Sequence, residues 1–209
     1  MSDARAWLPL FPLHTVLFPQ GLLPLKVFEM RYIDMVRECM KDDAPFGVVR
    51  IKSGHEVGGA AEPDQIGCLA EIRHWDMRET GILLLKVEGL ARFRILETRV
   101  LPNQRIEARI EMIAADAAIP TNAMHLACAQ ALKPIIEDIQ QRERDEPGFV
   151  SPFPETAHLD DAAWVANRWS EILPIPLEAR QQLMALEDAA ARLSIVHSYL
   201  VQHGVIATH

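Results

Sequence analysis

The chain has 209 residues, of which 49% are hydrophobic and 24% charged, so it can bury a proper core and has the size of one large or two small domains. Its net charge of -8 and pI near 5.5 repel polyanions on average and disfavour general binding to nucleic acid or anionic membranes. No apolar run approaches the ~18 residues of a membrane span, and three well-separated cysteines, Cys39, Cys68 and Cys128, give no disulfide framework.

Residues 1–7, MSDARAW, lack the basic start and apolar core of a signal peptide, and the cysteines sit among apolar neighbours as reduced thiols do. A cytoplasmic protein is expected. Residues 8–32, LPLFPLHTVLFPQGLLPLKVFEMRY, place two apolar arms on either side of Pro19-Gln20-Gly21. Proline and glycine there stop a helix and suit a tight reversal, which predicts two short, largely buried strands. Pro9, Pro12 and Pro24 lack a ladder donor and belong at strand ends, edges or bulges, so a regular interior hairpin is not expected.

From Phe28 the apolar residues fall at 28, 32, 35, 36, 39 and 40, with charged residues between them, predicting a one-faced amphipathic helix. Phe18 and Phe28 are both expected to be buried where strand and helix meet. Residues 46–52, FGVVRIK, follow Pro45 and read as a strand. Residues 53–65 hold three glycines and a proline and read as a loop. Strand character resumes over 66–76, pauses at Arg78-Glu79-Thr80-Gly81, and continues through 82–90 and then 91–101, where Leu96 breaks the alternation. Pro102-Asn103 makes a turn before a last alternating run, 105–113.

Beyond residue 115 the period becomes helical. Met124, Cys128, Ala131, Leu132, Ile135, Ile136 and Ile139 form a stripe capped by Thr121 or Asn122, with a kink expected at Pro134. Residues 147–154, PGFVSPFP, cannot be regular structure. Three further helices are predicted: one capped by Asp160 or Asp161, one from Leu177 to about Glu187, and one from Asp188 to His203 with Gly204 ending it.

Several of these segments resemble a known family. LPLFPL, VLFP and LPLKVFEMRY at residues 8–32 are similar to the opening of the N-terminal domain of the Lon protease family, the part of that protease thought to engage protein substrates. Residues 66–72, IGCLAEI, and 87–95, VEGLARFRI, resemble its successive strand signatures. More loosely, Trp169, Leu173-Pro174, residues 181–184, Leu186-Glu187-Asp188 and Arg192-Leu193 resemble its helical part, so the likeness runs along nearly the whole chain. The resemblance implies an α+β protein: a PUA-like β-pseudobarrel with one inserted helix over residues 1–116, then a bundle of about four helices over 117–209. It also implies a free-standing, non-enzymatic relative of the substrate-binding domain, holding unfolded or partner polypeptides.

The residues offer little chemistry against that reading. No G-x-x-x-x-G-K-[ST] loop is present to grip a nucleotide phosphate, so neither ATP nor another cofactor is expected. His55-Glu56 begins like H-E-x-x-H, but residue 59 is glycine. His125 and Cys128 share a helix face without a third ligand in reach, and His74 and Asp76 share a strand face with no nucleophile nearby, so no metal or catalytic site is expected. Because PUA-like barrels include RNA binders, Arg92, Arg94, Arg99, Arg105 and Arg109 are an alternative feature. Glu97, Glu107 and Glu111 interleave with the last three of these arginines, and Phe93 is the one aromatic there, so a solvated face of paired charges is favoured over RNA binding. A small enzyme of unrecognised type is the third reading. For a polypeptide partner, the candidate contacts are the apolar side chains in loop contexts, Trp75, Met77, Phe149 and Phe153.

Overall fold

The computed structural model of the chain describes residues 7–79 and 81–207, and separates into two compact units, Met1–Ala114 and Ala115–His209. The first contains β1 (Leu8–Leu13), β2 (Leu22–Val27), α1 (Met30–Asp42), β3 (Phe46–Ser53), β4 (Glu62–Glu79), β5 (Ile82–Val100) and β6 (Ile106–Met112). The two apolar arms do become strands, but they never pair with each other. β1 lies parallel to β3 with Leu10 opposite Gly47, and antiparallel to β6 with Leu10 opposite Ile106. β2 pairs with the front of β5, Leu22 opposite Glu88.

The sheet order is β2-β5-β4-β3-β1-β6, and a further β5–β6 pairing closes the last five strands into a ring. A single long strand makes this closure possible. β5 gives residues 83–88 to β2 and residues 93–100 to β6, while register shifts along β4 and β5 bend the ladder. The break in alternation at Leu96 has a structural counterpart, because the β5–β6 register slips between Ile95 and Glu97 and leaves Leu96 exposed. The runs 82–90 and 91–101 are therefore one strand with a bulge. The expected hairpin loop at 78–81 includes Thr80, which lies outside the described residues.

Both faces of β1 and β3 are covered, which explains their near-continuous apolar runs. Phe11 and Val48 join a core with Tyr32, Ile33, Met35, Val36 and Cys39 of α1, while the adjacent Leu10 and Val49 join a second cluster with Phe93, Ile95 and Ile106. β4 starts earlier than its glycine-rich approach indicates. Glu62 and Pro63 oppose Ser53 and Ile51, and the cross-strand pairs Lys52–Glu62 at 2.9 Å and Arg50–Asp64 at 2.5 Å give these polar residues a ladder to stand on.

Phe18 is fully buried as expected, but Phe28 is 53% exposed. The helix begins only at Met30, after an extended Glu29, and its buried face starts with Arg31 and Tyr32, so Phe28 lies outside the turn that packs on the sheet.

The second unit consists of α2 (Ala123–Asp145), α3 (Ala162–Ile172), α4 (Leu177–Ala185) and α5 (Ala189–Gln202). Three caps fix their starts. Asn122 accepts from the His125 N–H at 2.9 Å, Asp161 from Ala163 and Trp164, and Asp188 from Ala190 and Ala191. α3 is buried continuously from Ala162 to Ser170 and forms the centre of the unit, with the Trp169 indole donating to the Cys128 carbonyl at 3.0 Å. α2 continues as helix through Pro134.

Residues 147–154 are irregular, yet Phe153 is only 2% exposed and sits in the helical core. Irregular backbone can be buried when its polar groups are satisfied. Here the Ser151 hydroxyl accepts from the Phe153 N–H at 3.0 Å. Phe153 is thus a core residue, whereas Phe149 is half-buried beneath the Arg142 guanidinium, 4.5 Å from its ring. Phe153→Ala should lower stability by about 3 kcal/mol in urea unfolding followed by circular dichroism, and Phe149→Ala by less than about 1 kcal/mol. Equal midpoints for the two variants would contradict this placement.

Candidate functional site

The largest exposed aromatic group of the barrel unit lies where α1 ends against the middle of β4. α1 stops at Asp43, whose backbone is left-handed (φ 48°, ψ 45°), and Pro45 blocks its continuation. The Ala44 N–H donates back to the Cys39 carbonyl at 2.9 Å, folding residues 43–45 beside the helix end. Opposite them run Glu71, Ile72, Arg73 and Trp75 of β4, with a register shift between Ile72 and His74.

Between these segments is an open groove of about 320 Å³, within the size range of ligand sites. Met40, Pro45, Ile72, Leu90 and Trp75 supply its apolar lining. Trp75 is 51% exposed and Met77, two residues on, is 46% exposed. Arg73 is held between two carboxylates, Glu71 and Glu88, each at 2.7 Å.

The four predicted contact residues are divided between the units. Trp75 and Met77 are exposed on β4, Trp75 in the groove, whereas Phe149 and Phe153 belong to the helical unit and Phe153 is buried. Sequence reasoning missed Met40, Asp43 and Leu90. Their only signals were the outermost position of the α1 stripe and the Asp-Ala-Pro stop that follows it, and neither indicates what packs opposite.

Nucleophilic chemistry is poorly supported here. Cys39 lines the groove but is nearly buried, and burial, assisted by Glu38, pushes its thiol up to about 11. Cys128 is raised to about 11 by burial alone, and burial raises Tyr32 to about 12 against the opposing charge of Arg31. Raised pKa values mean that the folded state keeps these protons longer than the unfolded chain does. The stability they contribute is full below pH ~9 and is lost as pH rises through 11 to 12. Unfolding midpoints should fall steeply above pH ~9, and a thiol reagent at pH ~8 should label the native protein far more slowly than the urea-unfolded chain. Rapid native labelling would contradict the burial of these thiols.

His125 is buried, with Nε2 bonded to the Leu159 carbonyl at 2.9 Å. Among the described residues no three His, Cys, Asp or Glu side chains gather as a metal site. The β-strand arginines carry partners: Arg99 binds Glu107 at 2.6 Å, Arg105 binds Glu38 and Glu107, and Arg109 binds Glu97. Phe93 is fully buried. No helix among the described residues is long and apolar enough to cross a membrane.

The family model for the ATP-dependent protease La (LON) substrate-binding domain matches residues 7–202. Among curated proteins, the Lon protease of Anaeromyxobacter dehalogenans is 28% identical over 198 residues, and Lon protease 2 of Myxococcus xanthus is 28% identical over 201 residues. Each match takes in 93% of this chain but only 23% of the relative's length. Among solved structures, a Lon N-terminal domain protein from Xanthomonas campestris superposes with a TM-score of 0.72 at 30% identity, covering 93% of this chain and 98% of that one. The N-terminal domain of a Mycobacterium avium complex Lon protease shares the fold at a TM-score of 0.61 and 14% identity. The α+β architecture read from the sequence, a β-pseudobarrel with one inserted helix followed by four helices, is the fold these relatives have. The chain belongs to the LON substrate-binding domain family.

Proposed function

We propose that this chain is a polypeptide-recognition module that holds exposed apolar segments of unfolded or partner proteins in the groove at Trp75. The observation that carries this reading is a half-exposed indole set with apolar neighbours in the lining of an open groove. A tryptophan left in water at such a place is the kind of anchor that dominates protein interfaces, and flexible methionines beside it suit varied partners. Met40 and Met77, both partly exposed, supply that adaptability.

The module works without catalysis or nucleotide, in the reducing cytoplasm that suits its free cysteines. The paired arginines and the buried Phe93 argue against an RNA surface on β5 and β6.

Reduced and carbamidomethylated lysozyme, a permanently unfolded polypeptide, provides the test. Labelled with a fluorescent dye, it should bind with a rise in anisotropy, Trp75 being the most exposed indole described while Trp164 and Trp169 are buried. Trp75→Ala should weaken binding by at least about tenfold, as expected for loss of an aromatic anchor, while melting like the parent. Binding unchanged in Trp75→Ala, or a single-stranded RNA that outcompetes the polypeptide, would overturn the proposal.

A further inference from the structure

The charges around the groove bear on which segments it takes. Asp43, Glu71 and Arg73 line the groove, and Glu88 shares Arg73. Two carboxylates, Glu71 and Glu88, therefore already engage the one guanidinium of the groove, while the third, Asp43, lines it separately. Asp43 has no ion pair among the described residues and is exposed at the groove's edge.

The aromatic groups of this chain show a second pattern. Trp7 lies under Arg99 at 4.2 Å, Trp164 faces Arg168 at 5.5 Å, and Tyr32 and Phe149 each lie 4.5 Å from an arginine. Among the described residues, no cation of the chain lies over Trp75, although its indole is half-exposed.

From these two observations, and resting on the polypeptide-recognition reading, we infer that the groove selects segments in which a lysine or arginine stands next to an aromatic or aliphatic residue. The apolar side chain lies along Met40, Ile72 and Leu90, and the cation meets the Trp75 face and the Asp43 and Glu71 carboxylates. A carboxylate in the same place would meet the like charges of Asp43 and Glu71 and only an arginine already paired. The discrimination is therefore as much rejection of acidic segments as attraction of basic ones. The net charge of -8 acts in the same direction at longer range.

The experiment uses three fluorescent twelve-residue peptides, each with one phenylalanine and two leucines and flanked by two lysines, two serines or two glutamates. Their affinities for the full chain are measured at low and at raised salt. The lysine peptide should bind about tenfold or more tighter than the glutamate peptide at low salt, with the gap narrowing as salt screens the charges. Asp43→Asn and Glu71→Gln should each reduce the lysine-over-serine preference several-fold with the melting temperature near the parent's. Asparagine tolerates the left-handed backbone at 43, so that variant tests charge alone.

Equal binding of all three peptides, or a preference the two variants leave intact, would overturn the charge selection and leave the recognition module standing. Failure of every peptide to bind would remove the recognition reading itself, and the selection with it.

Discussion

Gly89→Ala should give insoluble protein, or a melting temperature at least about 10 °C below the parent's. A Cβ at residue 89 would lie 2.1 Å from the Phe18 carbonyl oxygen, a backbone atom with no rotamer to change. That approach is held from both sides. The Gln20 N–H donates to the Gly89 carbonyl at 2.7 Å, and the Gly89 N–H donates to the Gly21 carbonyl at 2.9 Å. Making room breaks both bonds and lifts the buried Phe18 from its seat. Two bonds at about 1 kcal/mol each and a partly unseated phenylalanine, itself worth about 3 to 5 kcal/mol, bring the cost to roughly 5 kcal/mol. That consumes much of the stability available to a domain. Gly59→Ala is the control, because nothing lies within 4 Å of its added Cβ. If Gly89→Ala melts within a few degrees of Gly59→Ala, the docking of the Pro19–Gly21 turn on β5 is wrong.

The second large effect is expected in the helical unit at Arg192, which is almost wholly buried. Its Nη1 donates to Asp116 at 2.7 Å and to Asn167 at 2.8 Å, its Nε to the Leu183 carbonyl at 2.9 Å, and its Nη2 to the Leu186 carbonyl. One guanidinium thus ties α5 to α3, to the chain before α2 and to the connection after α4. Arg192→Ala removes the countercharge of Asp116 and two carbonyl partners at once, which costs roughly 3 to 5 kcal/mol. Arg192→Lys should recover little, since an ammonium cannot reach these acceptors in the fork geometry. Urea unfolding of the two variants reads this directly. Full stability in Arg192→Lys would show that charge alone, without the fork, suffices.

Much of this fold could be read in the chain because local rules and tertiary packing agree. The caps at Asn122, Asp161 and Asp188 begin helices, Gly204 (φ 70°) follows the last, and the phase break at Leu96 marks a bulge. What escaped depends on partners distant in sequence. Nothing near Leu8 indicates that β1 pairs with β3 and β6 and not with β2. Phe28 and Phe153 depart from the sequence pattern for one shared reason: an aromatic at the edge of a pattern is buried or exposed according to what packs against it, not to its own period. Phe28 precedes the first turn of α1, and Phe153 is drawn into the helical core by a turn that Ser151 satisfies. The groove was half legible. Trp75 is marked by its place near a strand end, but the facing wall comes from residues 39–45, some thirty positions earlier, and β4 meets it only after folding.

The most direct test of the account is amide hydrogen exchange on the full chain, free and saturated with reduced and carbamidomethylated lysozyme. Bound polypeptide should slow exchange at residues 40–44 and 71–77, the two walls that meet around Trp75. Protection confined to residues 115–207, or none under saturating conditions, would contradict it.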